Sequence, residues 1–298
     1  MALLEVRGIT KIFNKKKKSA HIVLEDVSFT VERGQYVSLL GPSGCGKTTL
    51  LTILGGFIIP EAGEIVLAGH HVDKPGPDRG FVFQNYALFP WMTVKENILY
   101  SLQVKKFSKL KQQERLQELL EISHLHGSEN KYPIQLSGGM QQRVAVVRAL
   151  AGRPEILLLD EPLGAIDFQM RELLQEELAA LVQGAKTTVV MVTHDVNESV
   201  YLSDRVIVMS AFKGQIVQDV YIDLARPRDR QSEGFKAYVS DLTVLVREAF
   251  HQKPVDLESL QGYAQKVVNS QTGFTDAYNR IIGRYTNVNR GRVAKNRN

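Results

Sequence analysis

The sequence predicts an α/β fold built on a parallel β-sheet, and three patterns support this prediction. Short apolar segments alternate along most of the chain with segments of helical periodicity. The apolar run 156–159 contains no polar residue, which is typical of a strand covered on both faces. A glycine-rich stretch at 41–49 lies between an apolar segment and a helical one, as in the strand–loop–helix units of parallel sheets.

The predicted elements follow one another in three groups. Residues 2–7 and 22–31 alternate apolar and polar side chains, as in two strands of a half-buried antiparallel layer with Phe13 just past the first strand. Further strands are predicted at 36–40, 61–67, 80–84, 156–159, 187–192 and 205–210, with a short hairpin at 212–221. Helices are predicted from residue 49, from 94 to about 123, at 143–151, and from about 168 to 183.

The strand pattern stops after residue 225. Residues 235–250 and about 256–283 are helical in pattern, and the last fifteen residues, rich in Asn and Arg, are predicted to be disordered. We therefore predict one α/β domain at 1–225, whose helical subdomain occupies about 85–150, and a helical extension at 226–298.

The composition indicates a globular protein with a large core. The 298 residues are 44% hydrophobic and 23% charged, and the net charge is +5. The chain start lacks the pattern of a signal peptide, and no run of about 18 apolar residues occurs, so we expect a cytosolic location. The single cysteine, Cys45, excludes an internal disulfide. The basic runs at 15–18 and 290–297 contain no aromatic residues, so nucleic acid is not an expected partner.

Residues 41–49 form a predicted phosphate-binding loop. They match the pattern G-x-x-x-x-G-K-[ST], in which the lysine charge, free backbone N–H groups and the helix dipole bind a polyphosphate. The hydroxyl of Thr48 is placed to bind Mg²⁺ that bridges the β- and γ-phosphates. We therefore predict that a nucleoside triphosphate contacts Gly41, Pro42, Ser43, Gly44, Cys45, Gly46, Lys47, Thr48 and Thr49.

Polar residues follow three more strands at the edge where α/β sheets bind their ligands. Asp160 ends a buried run and is expected to hold the metal with Thr48 and Gln84. Glu161 can orient an attacking water or accept its proton. Gln84 also offers its amide to that water, and His194 offers a donor to the γ-phosphate. Glu161, His194 and Gln84 are therefore the predicted catalytic residues.

A short run before the helix at 143–151 resembles the signature sequence of the ATP-binding-cassette ATPases. Together with the phosphate loop, the carboxylate pair and the histidine, it appears in the order typical of that family across about residues 3–225. The resemblance implies a P-loop cassette with a RecA-like parallel core, an antiparallel β layer and a helical subdomain. The signature residues are Leu136, Ser137, Gly138, Gly139, Met140 and Gln141.

The same resemblance implies a head-to-tail dimer with ATP and Mg²⁺. Each ATP would lie between the phosphate loop of one chain and the signature of the other, and Ser-Gly-Gly at a helix start is itself an anion site. Phe13 would stack on adenine, where the family often has Tyr. Asp167 would link the two sites across the dimer, Glu161 would be the base, and His194 would sense the γ-phosphate.

A membrane partner is also implied, because in this family the insertion after Gln84 receives a permease. Here the insertion begins with an apolar, aromatic stretch that contains the only tryptophan of the chain. Such a stretch is a plausible groove for a partner helix, although the same aromatics could belong to the core of the helical subdomain. The expected permease contacts are Tyr86, Leu88, Phe89, Pro90 and Trp91.

Finer motifs at 81–84, 88–91 and 224–229 resemble the nitrate, sulfonate, taurine and bicarbonate importers. This group implies a permease pair, a periplasmic or surface solute-binding protein, and a peripheral location on the cytoplasmic face of the inner membrane. One alternative is a cassette ATPase that drives export or lipid movement. Another is a soluble cassette ATPase outside transport, although only about 50 residues separate Gln84 from Leu136, too few for the long coiled coil of repair enzymes. A non-catalytic nucleotide sensor is less favoured, because Glu161 and His194 are both present.

Overall fold

The fold consists of two β-sheets of different kinds. The structure is a computed structural model that describes residues 2–14, 20–163, 168–185 and 187–251. In chain order the strands are β1 (Ala2–Phe13), β2 (His21–Glu32), β3 (Tyr36–Leu40), β4 (Ala62–Leu67), β5 (His70–His71), β6 (Arg79–Val82), β7 (Ile156–Asp160), β8 (Thr188–Thr193), β9 (Arg205–Met209) and β10 (Ile216–Tyr221). The α-helices are α1 (Lys47–Leu54), α2 (Val94–Val104), α3 (Lys109–Ile122), α4 (Gly138–Ala151), α5 (Phe168–Ala185), α6 (Val196–Leu202) and α7 (Glu233–His251).

The larger sheet has the strand order β10-β9-β3-β8-β7-β6, in which only β10 runs antiparallel to its neighbour. Its central strands are buried on both faces. In β7, Ile156 and Leu158 face the antiparallel sheet and α1, whereas Leu157 and Leu159 face the core shared with α4, α5 and α6. Two covered faces explain why the run is apolar throughout. The predicted α/β class is confirmed.

The second sheet is antiparallel, with the order β2-β1-β4-β5. Strand β1 continues to Phe13, which pairs with His21, so the predicted end at residue 7 and the position of Phe13 beyond the strand are corrected. The register shifts after Val6, where Gly8 takes a positive φ of 60°. This irregularity breaks the alternation of apolar and polar residues, which is why the pattern suggested a shorter strand.

Helices α2, α3 and α4 form the predicted helical layer beyond β6. The buried side chains of α3 are Leu116, Leu119 and Leu120, whose spacing of three and four places them on one face. The helical periodicity of this segment also predicts Leu110 and Ile122 on that face, but they are 71% and 41% exposed. The buried stripe of α3 is therefore shorter than predicted.

Helix α4 begins at Gly138, five residues before the predicted start. Ser137 caps it, because its Oγ accepts a hydrogen bond from Met140 N at 3.3 Å. Two glycines in the first turn have low helix propensity, so the sequence placed the start at Arg143. The hairpin predicted at 212–221 is likewise revised: its strands are β9 and β10, and the turn lies at 210–215.

Helix α7 packs onto the core that the parallel sheet shares with α4, α5 and α6, through Phe235, Tyr238, Leu242 and Ala249. The segment before it is tied to the end of α6, where the buried guanidinium of Arg228 donates hydrogen bonds to three backbone carbonyls. The helix predicted at 256–283 and the predicted disorder of the last fifteen residues lie outside the described residues. Among the helices of the described ranges, none combines the length and the apolar character needed to cross a lipid bilayer.

Candidate active site

Four adjacent strands deliver the predicted site residues to one edge of the parallel sheet. Strands β3, β8, β7 and β6 are neighbours in that order and run parallel. The phosphate loop follows β3, His194 follows β8, Asp160 ends β7, and Gln84 lies two residues beyond β6. Because the carboxyl ends of parallel strands meet at the same edge, residues from distant parts of the chain come together here.

The phosphate loop is packed from behind by two other elements. Gly46, which precedes α1, has a φ of 100°, and a Cβ there would lie 2.8 Å from Leu24 Cδ2 of β2. Gly214, in the turn between β9 and β10, also backs the loop, since a Cβ on it would lie 2.6 Å from Cys45 O and from Val23 O. Only glycine fits at these two positions. The close packing of β2 and the turn at Gly214 therefore restricts the shape of the loop.

Lys47 lies within the curve of this loop and is only 5% exposed. Its Nζ donates hydrogen bonds to Gly41 O at 2.7 Å and to Pro42 O at 2.9 Å. The neighbouring Cys45 is buried, and burial raises the pKa of its thiol against the opposing charge of Lys47. Cys45 is therefore a packed side chain whose thiol is held in its neutral form.

The hydroxyl of Thr48 donates a hydrogen bond to Asp160 Oδ1 at 2.9 Å. Asp160 is 6% exposed, and burial raises the pKa of its carboxyl, while the hydrogen bond from Thr48 opposes the shift. A hydroxyl and a buried carboxylate side by side are the oxygen ligands that Mg²⁺ prefers, and a cation would stabilise the ionised acid. These two residues fit the predicted metal.

Glu161 lies between the other two predicted catalytic residues. Its Oε1 is 3.2 Å from His194 Nδ1, and its Oε2 accepts a hydrogen bond from Gln84 Nε2 at 3.4 Å. The backbone of Glu161 has a positive φ of 43° and its N–H donates to Val192 O, which turns the residue sharply out of β7. The side chain keeps 21% exposure, so water can reach the carboxylate.

The turn that carries His194 is fixed by residues that the sequence analysis did not single out. Thr193 Oγ1 accepts a hydrogen bond from Asp195 N at 3.0 Å and donates one to the buried carboxyl of Glu198. Asp195 caps α6 and pairs with Arg171 of α5 at 3.2 Å. Asp195 and Glu198 are three residues apart, as in a capping box at the start of a helix. This spacing could have identified both residues from the sequence.

The signature residues lie at the start of α4. Leu136 is 7% exposed and anchors the segment, whereas Ser137 and Gly138 are exposed to solvent. The amide of Gln141 donates to Pro133 O and Leu136 O, which fixes the approach to the helix. The start of α4 is therefore accessible from solvent at Ser137 and Gly138, as an anion site requires.

An exposed aromatic surface follows Gln84. Trp91 is 68% exposed, and the Phe89 ring packs against Trp91 at 5.6 Å and against Tyr100 of α2 at 4.9 Å. We call Phe89, Pro90, Trp91 and Tyr100 the aromatic patch. The sequence analysis did not include Tyr100 among the surface contacts. An aromatic residue on the polar face of a predicted helix could have indicated it.

Two of the predicted permease contacts lie elsewhere. Tyr86 is only 7% exposed and belongs to the core of α2 and α4, so its prediction as a surface contact is corrected. Its backbone has a φ of 61°, which turns the ring inward. Leu88 is partly buried against the same core. The core alternative of the sequence analysis therefore applies to Tyr86 and Leu88, and the permease contact at Phe89, Pro90 and Trp91 stays a prediction.

The remaining predicted residues lie apart from this edge or outside the described ranges. Phe13 ends β1 with 39% of its surface exposed, and Lys11 Nζ lies 5.2 Å from its ring centre. An exposed ring of this kind can stack on a base, which leaves the adenine contact as a prediction. Asp167, the predicted dimer-loop residue, lies outside the described residues.

A phosphate loop, an oxygen pair suited to magnesium and a water-accessible carboxylate define a P-loop nucleoside triphosphatase. Residues 24–164 match the family model described as "ABC transporter". An uncharacterized ABC transporter ATP-binding protein of Methanocaldococcus jannaschii is 46% identical over 247 residues, which cover 82% of this chain and 91% of that protein. The chain belongs to this family of ABC transporter ATPases, as the sequence analysis predicted.

Other relatives carry more specific names. The aliphatic sulfonates import ATP-binding protein SsuB of Bacillus subtilis is 44% identical over 240 residues, covering 80% of this chain and 91% of that protein. The nitrate import ATP-binding protein NrtC of Synechococcus elongatus is 44% identical over 230 residues, covering 76% of this chain but 35% of that protein. A solved dimer of the cassette MJ0796 with ADP and Pi matches with a TM-score of 0.64 and 32% identity, over 74% of this chain and 98% of that one.

Proposed function

We propose that this ATPase is the energy-supplying subunit of an importer for a small anion such as a sulfonate or nitrate. The carboxylate of Glu161, placed between Gln84 and His194 beside the Thr48–Asp160 pair, is the observation on which hydrolysis rests. Import rests on the similarity to sulfonate and nitrate import proteins along more than three quarters of the chain. Taurine and bicarbonate are the other small solutes of this group that the sequence resemblance includes.

The residues around the loop have separate tasks in hydrolysis. Thr48, Gln84 and Asp160 would hold Mg²⁺, which neutralises charge on the β- and γ-phosphates. Lys47 and the N–H groups of the loop bind the phosphates. Glu161 orients the attacking water and accepts its proton, and His194 donates a hydrogen bond towards the γ-phosphate.

A head-to-tail dimer completes the proposed site. The outward-facing start of α4 at Ser137 and Gly138 would bind the γ-phosphate held by the loop of the partner chain. The similarity to a dimeric cassette solved with ADP and Pi supports this arrangement. In the same dimer Asp167 would link the two sites. ATP binding would close the dimer and hydrolysis would reopen it.

The aromatic patch would receive the membrane permease. Phe89, Pro90 and Trp91 of the patch follow Gln84 by five to seven positions, so a movement that begins at the nucleotide has a short path to the partner. Exposed aromatic side chains in contact with one another are typical anchors for a partner helix. The chain would therefore be peripheral on the cytoplasmic face of the inner membrane, and a solute-binding protein would deliver the anion on the other side.

The hydrolytic assignment is tested by Glu161→Gln. Glutamine keeps the shape but cannot accept the proton, so we expect ATP binding to persist and turnover to fall at least about a hundredfold, roughly 3 kcal/mol in the barrier. Light scattering should show an ATP-dependent dimer in this variant. Glu155→Gln, at a surface glutamate paired with Arg33, is the matched control and should retain activity. Near-normal turnover in Glu161→Gln would refute the assignment of the base.

The importer assignment is tested by purifying the protein from native membranes in mild detergent and identifying the proteins that accompany it. We expect a multi-span permease together with a solute-binding protein. A permease without a binding protein would support export or lipid movement, and only soluble partners would support a task outside transport. Trp91→Asp places a charge on the aromatic patch and should lose the permease while the ATPase activity of the isolated chain persists.

A further inference from the structure

One arginine joins the signature helix to the segment after Gln84. Arg148 lies in the last turn of α4, and its Nη1 donates to Ala87 O at 2.7 Å while its Nη2 donates to Tyr86 O at 3.0 Å. The guanidinium also lies 5.3 Å from the centre of the Phe89 ring. A single side chain thus contacts three residues of the segment that leads to the aromatic patch.

The two residues whose carbonyls Arg148 binds are both in an uncommon conformation. Tyr86 and Ala87 have φ values of 61° and 44°, in the left-handed region that non-glycine residues rarely occupy. Two consecutive residues persist there only when the surroundings determine their geometry. The Tyr86 hydroxyl is buried and has no hydrogen-bond partner within the described ranges, so the backbone provides the polar anchors.

Asn97 of α2 secures the same segment from the other side. It is fully buried, its Oδ1 accepts a hydrogen bond from Phe89 N at 3.0 Å, and the two hydrogens of its Nδ2 are shared among Phe89 O, Met92 O and Thr93 O. Its Oδ1 also lies 3.5 Å from Arg148 Nη1. The segment is therefore attached to both α2 and α4.

Helix α4 is stiff enough to connect its two ends. Ser137 at its start and Arg148 near its end are eleven residues apart, which corresponds to about 16 Å along a helix axis. Movement at the signature end must therefore move Arg148. A planar guanidinium that binds two adjacent carbonyls fixes both the distance and the orientation of the segment relative to α4. A single ammonium group would fix only the distance.

We propose that Arg148 is a positioning residue that ties segment 84–91 to the signature helix, so that binding of the partner's nucleotide at Ser137 displaces the aromatic patch. This inference rests on the proposed dimer and on the proposed role of the patch. Arg148 acts on the backbone of the segment and has no assigned contact with ATP.

Trp91 provides a direct test, because it is the only tryptophan in the chain and lies in the patch. In the Glu161→Gln background, ATP with Mg²⁺ should change the Trp91 emission or its quenching by acrylamide. Arg148→Lys keeps the positive charge but loses the two-pronged contact, and should reduce the change by at least about half. Its affinity for ATP should stay within about twofold of the parent, because the phosphate loop is untouched.

Arg115→Lys is the matched control. Arg115 of α3 donates to Leu150 O of α4 at 3.2 Å and pairs with Glu118, and neither partner lies in segment 84–91, so its substitution should leave the Trp91 response intact. An equal response in Arg148→Lys and the parent would overturn the inference. An equal loss in both variants would also overturn it, because it would indicate a general loosening of the helical layer.

A second measurement needs no change at Arg148. Hydrogen exchange in the Glu161→Gln parent should show that ATP alters the amides of residues 86–92 together with those of 138–141. Unaltered exchange at 86–92, with protection at 138–141, would overturn the inference while the proposed dimer stands. If light scattering shows that ATP does not dimerise the parent, the proposed dimer itself is wrong and the inference is refuted with it.

Discussion

Glu198 gives the sharpest stability prediction, because its carboxyl is buried beneath the turn that carries His194. It is 4% exposed, and burial raises its pKa to about 8, whereas the hydrogen bond from Thr193 opposes the shift. The nearby charges are Asp195 and Glu161, which raise the pKa, and Arg171, which lowers it. The raised pKa favours the protonated form of Glu198 at neutral pH in the folded protein.

This shift makes stability depend on pH with a defined sign. Between the ordinary pKa of 4.5 and the folded value of about 8, the unfolded chain releases a proton that the folded chain keeps. The contribution of Glu198 is fully present below pH 4.5 and is lost as pH rises to about 8. The free energy of unfolding should fall by about 1.4 kcal/mol per pH unit across that window.

Glu198→Gln should remove this slope, because glutamine has the same shape, does not ionise, and can accept the hydroxyl of Thr193. From about pH 5 to about pH 7, the free energy of unfolding of wild type should fall by about 3 kcal/mol more than that of the variant. Urea unfolding followed by circular dichroism at several pH values measures the difference. Glu118→Gln, at an exposed residue of α3, is the control and should stay within about 0.5 kcal/mol of wild type. Parallel pH profiles for wild type and Glu198→Gln would refute the reasoning.

Three further predictions concern the loop and the segment after Gln84. Lys47→Ala should abolish ATP binding measured by equilibrium titration, because it removes the charge inside the phosphate loop; unchanged affinity would contradict the loop assignment. Asn97→Ala should lower the free energy of unfolding by about 3 kcal/mol in urea titrations, since it removes the side-chain hydrogen bonds to the backbone of Phe89, Met92 and Thr93; a loss below about 1 kcal/mol would show that the segment is anchored elsewhere. Iodoacetamide should label Cys45 at least about tenfold more slowly in the folded protein than in the unfolded chain, because burial raises the pKa of its thiol; equal rates would show that the loop opens readily.

The elements with a strong apolar pattern could be predicted from the sequence. The run at 156–159 and the segment at 187–192 correspond to β7 and β8, because strands buried on both faces consist mostly of apolar residues. The start of α4 could not be predicted, because the cap by Ser137 and the tertiary packing outweigh the low helix propensity of two glycines. The strand β1 was underestimated because an irregularity at Gly8 interrupts its pattern.

The same division applies to the site. Gln84, Glu161 and His194 could be expected together, because each follows a strand of one parallel sheet. Arg148 could not, since an arginine on a predicted helix usually lies on the solvated face and its partners are backbone carbonyls about 60 residues earlier. The burial of Tyr86 was equally hidden, because it depends on a left-handed turn that an Asn-Tyr-Ala sequence does not indicate.

The glycine behind the phosphate loop extends the nucleotide site beyond its motif. Gly214 lies more than 160 residues after the loop. Any side chain at this position would nevertheless collide with the carbonyl oxygen of Cys45. A substitution there would push on the peptide that precedes Gly46 and turn the phosphate-binding N–H groups away. In a saturation mutagenesis screen in which growth requires this ATPase, position 214 should therefore tolerate as few substitutions as the glycines of the loop. A variant at this remote turn would behave as a nucleotide-binding mutant, although no sequence motif marks it.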